Sequence, residues 1–277
     1  MRVVAVGECT RDRYLDRGIE TVGGISLNFA VNSRRCGADS AALVSCTGTD
    51  AAAARIRARL QRDGVDTTRL QSRPGVTASQ VIHLGPDGER TFPPGGYDPG
   101  VLTDFRFAPL DLAFIASFDL VAVPYFRQIE HLFRPAMDAA AEAKRVVDLL
   151  DGSDLGADLA GIEPILDRAD LVFLSGSEAT AERLVARSER ARTVIVVTHG
   201  ASGSTALVAG RRHRAAAVVV PESERIDTTG CGDAFQAGFA IEYFQGGDVS
   251  DALAAGATRA SQVIRHLGAT GDQPPRE

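Results

Sequence analysis

Short, uninterrupted apolar runs alternate along the chain with longer stretches in which apolar and charged residues recur at spacings of three and four. The runs at 3–6, 41–44, 120–123, 146–150, 171–174 and 194–197 are rich in Val, Leu and Ile. Each is too short for a buried helix and apolar at nearly every position, so they read as strands covered on both faces, as in a parallel sheet. Between them, residues 28–35, 51–63, 130–143 and 178–187 carry amphipathic helical patterns. A repeating strand–helix order predicts an α/β fold, with a doubly wound, mostly parallel sheet flanked by helices. With 277 residues, 44% of them hydrophobic and 24% charged, the chain can bury most of its unfolded surface in one large domain. That domain is expected over residues 1–270, followed by a loose tail at 271–277 that contains Pro274 and Pro275.

Two stretches interrupt the rhythm. Residues 9–23 are polar and charged directly after the first strand. Within 76–98, the segment QVIHLGPDGERTF (80–92) has two strand-like arms around a Gly-Pro-Asp-Gly turn, followed by Pro93, Pro94, Gly95 and Gly96. Together they form either a small β-lid outside the main sheet or an ordinary surface hairpin. A lid is what an enzyme that must exclude water would need.

Composition removes several classes of function. Thirty basic against thirty-six acidic residues leave a net charge of −6, aromatics are 6%, and Trp is absent. Neither the electrostatic footprint nor the stacking surface of a nucleic-acid binder is there. No apolar run approaches the ~20 residues of a membrane span. Cys9, Cys36, Cys46 and Cys231 have no metal-ligand spacing, and the expected setting is the reducing cytoplasm.

The most informative segment is IDTTGCGDAFQAGFAIEYF at 226–244. Gly230 and Gly232 permit close backbone approach, and an apolar helical pattern follows from 234 to 244. A glycine-rich turn opening a helix offers free N–H groups and a partial positive charge, a cradle for phosphate oxygens. Asp233 inside such a cradle is either an electrostatic cap of the helix or a general base for a hydroxyl that attacks the phosphate. Two other phosphate motifs are excluded. A P-loop needs a lysine after its glycines, and the sole lysine is Lys144; the dinucleotide fingerprint needs a small residue where Phe235 stands. Gly23 and Gly24 lead into the first helical pattern. There Asn28 offers a donor and an acceptor to sugar-like hydroxyls, or sits beside a helix cap. The THGASGS segment (198–204) closes a buried strand at its carboxyl end, where open α/β sheets place ligands. His199 in it has no adjacent nucleophile motif and is not assigned a catalytic role.

DTTGCGD (227–233) resembles the D-T-x-G-A-G-D signature of the ribokinase-like, or phosphofructokinase-B type, carbohydrate kinases. GECTRD (7–12), VGGISLNFAV (22–31), SGSE (175–178) and THGASGS resemble further landmarks of that family, in the same order. The resemblance implies an ATP- and Mg²⁺-dependent kinase acting on a small sugar or sugar-amine, with a monovalent cation as an optional cofactor. It implies that Asp233 deprotonates the acceptor while the amides of Gly230, Cys231 and Gly232 hold the phosphoryl group. It further implies that Asp12, Gly23, Gly24 and Asn28 bind the sugar, and that Thr198, Gly200, Gly203, Asp227 and Thr229 serve the nucleotide. Glu178 would organise Mg²⁺, and the lid would also make a homodimer contact.

Two departures stand out. Cys231 replaces the family's Ala, and a thiol at a helix N-terminus is expected to have a lowered pKa. Ser175 replaces the Asn of N-x-x-E and has a shorter reach. GVTASQ (75–80), YDPGVLTDF (97–105), VVDLLD (146–151) and ATRASQVIRHLGA (257–269) resemble the fructoselysine 6-kinase branch. The alternatives are a kinase for a ketohexose, pentose or nucleoside, and a non-catalytic sugar- or nucleotide-binding regulator on the same fold.

Overall fold

The computed structural model describes residues 1–156 and 159–271, so the expected loose tail lies outside the described residues from position 272 onward. The strands are β1 (Arg2–Val6), β2 (Thr10–Tyr14), β3 (Ile19–Gly23), β4 (Ser40–Thr47), β5 (Val65–Asp66), β6 (Leu70–Ser72), β7 (Ser79–Leu84) and β8 (Arg90–Thr91). They continue as β9 (Tyr97–Asp98), β10 (Leu120–Pro124), β11 (Lys144–Asp148), β12 (Leu171–Ser175), β13 (Val194–Thr198), β14 (Ser204–Val208) and β15 (Arg211–Ala215). The helices are α1 (Ile25–Arg35), α2 (Ala51–Arg62), α3 (Pro109–Ile115), α4 (Glu130–Ala139), α5 (Glu163–Leu166), α6 (Glu178–Arg190), α7 (Cys231–Phe244) and α8 (Val249–Val263).

The main sheet runs β15-β14-β13-β12-β11-β10-β1-β4-β5, with β6 also paired to β4. Its pairings from β5 across to β13 are parallel, and only the β13–β14 and β14–β15 pairings are antiparallel. The apolar runs are apolar at every position because both faces are dry. Along β1, Val3 and Ala5 enter one core while Val4 and Val6 enter the other; along β12, Leu171 and Phe173 oppose Val172 and Leu174. Leu27, Ile56, Phe239 and Leu253 from α1, α2, α7 and α8 cover one face. Ile115, Met137, Ile165 and Leu184 from α3 to α6 cover the other. At about 1.5–3 kcal/mol for each buried aliphatic side chain, these two cores hold the α/β sandwich together. The observed architecture is the α/β fold of the sequence reading.

Local boundaries differ where tertiary needs override the pattern. The run at 146–150 leaves the sheet after Asp148, whose Oδ1 accepts from the Leu150 N–H at 2.9 Å; Leu150 itself has φ 56°. Helix α1 begins at Ile25, which places Asn28 one turn inside the helix rather than at its cap. Helix α4 stops at Ala139, where the chain turns to feed β11. The hairpin of β14 and β15 carried no apolar run to announce it, since β15 reads RRHRA at the sheet's edge.

A second sheet, ordered β3-β2-β7-β8 with β9 on β7, stands apart from the first. It joins the two segments that break the βα rhythm. Strands β2 and β3 are antiparallel, β2 is parallel to β7, and β7 and β8 form a hairpin over the 85–88 turn. From β1 the chain crosses to β4 on one side, and from β10 to β11 on the other. The strand order therefore reverses between β1 and β10, and a crevice opens at their carboxyl ends.

Candidate active site

Three carboxylates reach this crevice from separate elements. Glu8 follows β1 and, 6% exposed, accepts the Ile25 N–H at the head of α1 through Oε1 (3.1 Å), with the buried Tyr97 hydroxyl beside it. Asp12 lies on the inward face of β2, and its Oδ1 accepts from Thr10 Oγ1 at 2.6 Å. Asp148 terminates β11. The Asp12 carboxylate lies against Gly23, where any Cβ would collide with it, and Gly24 (φ 100°) would meet the Cys9 Cα at 2.8 Å. The pair Gly23-Gly24 is glycine because the chain folds back on these atoms.

The fourth carboxylate, Asp233, stands in the first turn of α7. The helix N-cap is Gly230, in the left-handed region at φ 78°, and it receives no side-chain cap. Asp233 makes no cap hydrogen bond, although its place in the first turn still suits an electrostatic cap; its half-buried Oδ2 accepts from Asn28 Nδ2 at 2.7 Å. Asn28 is itself 3% exposed, with Oδ1 unpartnered. Crowding by protein atoms, then the Asp148 and Glu8 charges, push the Asp233 carboxyl up to about 7, against the pull of Asn28 and of the Arg90 guanidinium on β8. Burial and the neighbouring acids raise Asp12 to about 8. Crowding at the same site raises Glu8 and Asp148 as well.

Around the cradle, the Cys231 N–H already donates to the Thr228 carbonyl oxygen at 3.2 Å, so this one of the three expected amides is not free. The Gly230 and Gly232 amides make no backbone hydrogen bond among the described residues, and a Cβ on Gly232 would project into open space. The expectation of a lowered Cys231 pKa is corrected: burial pushes the thiol up to about 12, outweighing the helix end and Arg90. Asp227 is also corrected. It is fully buried, with Tyr14, Thr229 and Gly268 as donors, and has no surface to offer a nucleotide. Thr229, 5% exposed, sits between Asp227 and the cradle.

A second group gathers at the ends of β12 and β13. Ser175 and Thr198 are register partners, with Oγ atoms 3.3 Å apart. Gly200 (φ 58°) has open space at its Cβ position, whereas Gly203 (φ 99°) would collide with the Ala215 carbonyl oxygen. His199 is held by Gly176 O and Thr205 Oγ1, which makes it a fixture of the loop. Glu178 accepts from Arg214 Nη2 at 2.7 Å and lies 3.5 Å from His199 Nε2. No group of three or more His, Cys, Asp and Glu among the described residues could cage a metal alone. The hard oxygens of Glu178, Ser175 and Thr198 fit a magnesium ion held chiefly by nucleotide phosphates.

Sequence comparison matches the description "pfkB family carbohydrate kinase" over residues 2–276. The chain belongs to the pfkB family of carbohydrate kinases. Fructoselysine 6-kinase of Escherichia coli (strain K12) is 29% identical over 270 residues, 96% of this chain and 98% of that protein. A fructosamine kinase of Bacillus subtilis (strain 168) is 28% identical over 98% of this chain and 93% of its own length. Among solved structures, Arabidopsis thaliana ribokinase complexed with ribose and ATP superposes with a TM-score of 0.78 at 20% identity, covering 97% of this chain and 94% of that one. The fold is thus ribokinase-like, and the enzyme class is that of the sugar kinases.

Within this pfkB kinase, the structure brings Asp12, Gly23, Gly24, Asn28, Gly232 and Asp233 to one crevice and collects Thr198, Gly200, Gly203 and Glu178 at neighbouring strand ends. Three residues of the crevice had no role assigned from sequence: Glu8, Asp148 and Arg90. Glu8 lies just after β1 and Asp148 is the last residue of β11, carboxyl-end positions that mark both as site-facing. Arg90 could be found only once the hairpin was seen to bring it to α7. No helix among the described residues is long and apolar enough to cross a membrane.

Proposed function

We propose that this pfkB kinase transfers the γ-phosphoryl group of ATP to a hydroxyl of a fructosamine, a fructose carried on an amine such as a lysine side chain. The observation that carries the transfer is the Asn28–Asp233 contact at the head of α7. It aims a carboxylate of pKa about 7 into the crevice beside free amides. Such a group is poised near neutral pH to take a proton from a bound hydroxyl. The acceptor class follows the fructoselysine and fructosamine relatives, which span nearly the whole chain.

In this reading Asp12 and Asn28 orient the acceptor, and Asp233 receives the hydroxyl proton as the oxygen attacks phosphorus. The amides of Gly230 and Gly232, with the positive end of α7, stabilise charge that grows on the phosphoryl oxygens. Bound magnesium would neutralise the nucleotide phosphates. Glu178, now paired with Arg214, would be the carboxylate available to that ion's water shell. The second sheet acts as a lid, and its β8 brings Arg90 into the field of Asp233 and the phosphoryl group. Excluding water limits hydrolysis of ATP in place of transfer.

The test is an ADP-release assay with ATP and Mg²⁺ against ε-fructoselysine, fructose, ribose and adenosine, with the product identified by phosphorus NMR. The highest kcat/KM is expected for ε-fructoselysine. A tenfold preference for fructose would replace the acceptor with a plain ketohexose. No ADP release with any sugar would sink the transferase reading.

A further inference from the structure

Strand β2 presents three polar side chains on one buried face, Thr10, Asp12 and Tyr14; Thr10 serves Asp12 as a hydrogen-bond donor, and Tyr14 has no place in the transfer. Tyr14 is 1% exposed, and its hydroxyl donates to Asp227 Oδ2 at 2.6 Å. Asp227 sits in the loop that leads into the phosphate cradle. Its Oδ2 also accepts the Gly268 N–H and its Oδ1 the Thr229 N–H, both at 2.8 Å. A carboxylate with no exposed surface and three donors works as a joint. The donors come from the outer sheet, from the segment after α8, and from the cradle loop itself.

The surroundings of this joint are close-fitted. Leu267 packs on the Tyr14, Ile82 and Leu84 cluster of the outer sheet. At Gly268 a Cβ would stand 3.0 Å from Thr21 Oγ1 on β3, and at Gly230 it would collide with Ala269. The hairpin grips the same loop from its other end. Thr228 N donates to Gly88 O at 2.9 Å, and Arg90 N to Thr228 Oγ1 at 3.0 Å.

We infer that Tyr14 is a positioning residue that locks the phosphate cradle to the acceptor-binding strand, so that the cradle is set only while the outer sheet is down. Asp12 and Tyr14 are alternate residues on one face of a strand, about 6.6 Å apart along it. Movement of Asp12 on meeting the acceptor therefore reaches Asp227 through backbone and one ring. The inference rests on the transferase reading and adds coupling between its two halves.

The decisive variant is Tyr14→Phe, which deletes one hydroxyl and keeps the ring. Hydrogen exchange read by mass spectrometry, with a non-hydrolysable ATP analogue bound, should show peptides spanning 79–84 and 226–232 slowing together in the native protein. In Tyr14→Phe the 226–232 peptide should exchange several-fold faster while 79–84 stays protected. With ε-fructoselysine, kcat should fall about tenfold or more, within the range of an ångström-scale misplacement, while KM for either substrate changes less than about threefold. Unchanged kcat and unchanged exchange at 226–232, with only a lower Tm, would reduce Tyr14 to a packing residue and overturn the inference. Should Tyr14→Phe fail to fold, the native protein still decides: protection of 226–232 without 79–84 refutes the lock. Should the native protein leave ε-fructoselysine untouched, the acceptor assignment falls, while the exchange experiment still tests the lock.

Discussion

At the scale of single residues, the proposed transfer rests on a carboxylate denied easy ionisation. Asp233 is raised by crowding and by Asp148 and Glu8, so its proton-accepting form grows as pH climbs through about 7. The kcat/KM of the native enzyme should lose about tenfold per pH unit below that value, the behaviour of a single essential base. Asp233→Asn should lower kcat by ~10²–10⁴-fold with nucleotide affinity retained, as measured by steady-state kinetics and calorimetry. Gly232 offers a sharper probe of where phosphate sits. No protein atom would meet its added methyl, so Gly232→Ala should match the native Tm and still lose turnover as the methyl enters ligand space. Equal turnover would move the phosphoryl group elsewhere.

At the scale of elements, the outer sheet is defined by its contacts with the cradle loop rather than by its own stability. Its strands β8 and β9 have two residues each, and its own apolar cluster, among the described residues, holds Tyr14, Ile82 and Leu84 with Ile19 and Leu267 at its margin. Strands β2, β3 and β7 bury their inward residues, whereas the two residues of β8 are half-buried and exposed; that hairpin end is the part that can open at low free-energy cost, which suits a cover that must let substrates in. Gly88 is the critical point of that contact. It has φ 80°, and its Cβ position lies 3.2 Å from the Ile226 carbonyl group. Gly88→Ala should strain the turn and push the hairpin off Thr228. The ratio of acceptor-free ATP hydrolysis to sugar phosphorylation should then rise. A flat ratio would show that the hairpin does not govern water access.

At the scale of the whole molecule, the crevice carboxylates oppose stability. Asp12 and Asp233 titrate near 8 and 7 in the folded protein against an ordinary 3.8. The folded state therefore binds more protons than the unfolded chain between those limits, and stability falls as pH rises through them. His131 and His266, lowered by partial burial, act in the opposite sense below their ordinary 6.5. Above that range only the carboxylates remain. The Tm of the ligand-free protein should drop between pH 6.5 and 8.5 while activity rises. An Asp12→Asn, Asp233→Asn double variant should lose most of the drop, and a slope as steep as the native one would remove these two groups as its cause.

The layered α/β sandwich was legible in the chain because strands dry on both faces leave unbroken apolar runs, whatever their neighbours are. The helix N-terminus after Gly230 was legible too, since Gly230, Gly232 and Asp233 are adjacent and a helix N-terminus is a local object. Tertiary structure alone decided what stands around it. Glu8, Asp148 and Arg90 come from three distant elements, and their effect on Asp233 falls off with distance in space, not along the chain. It also decided that Asp227, in the same motif as Asp233, is a buried joint. Its partners Tyr14 and Gly268 lie 213 and 41 residues away, and a hydrogen bond over such a separation leaves no periodicity in sequence to be read.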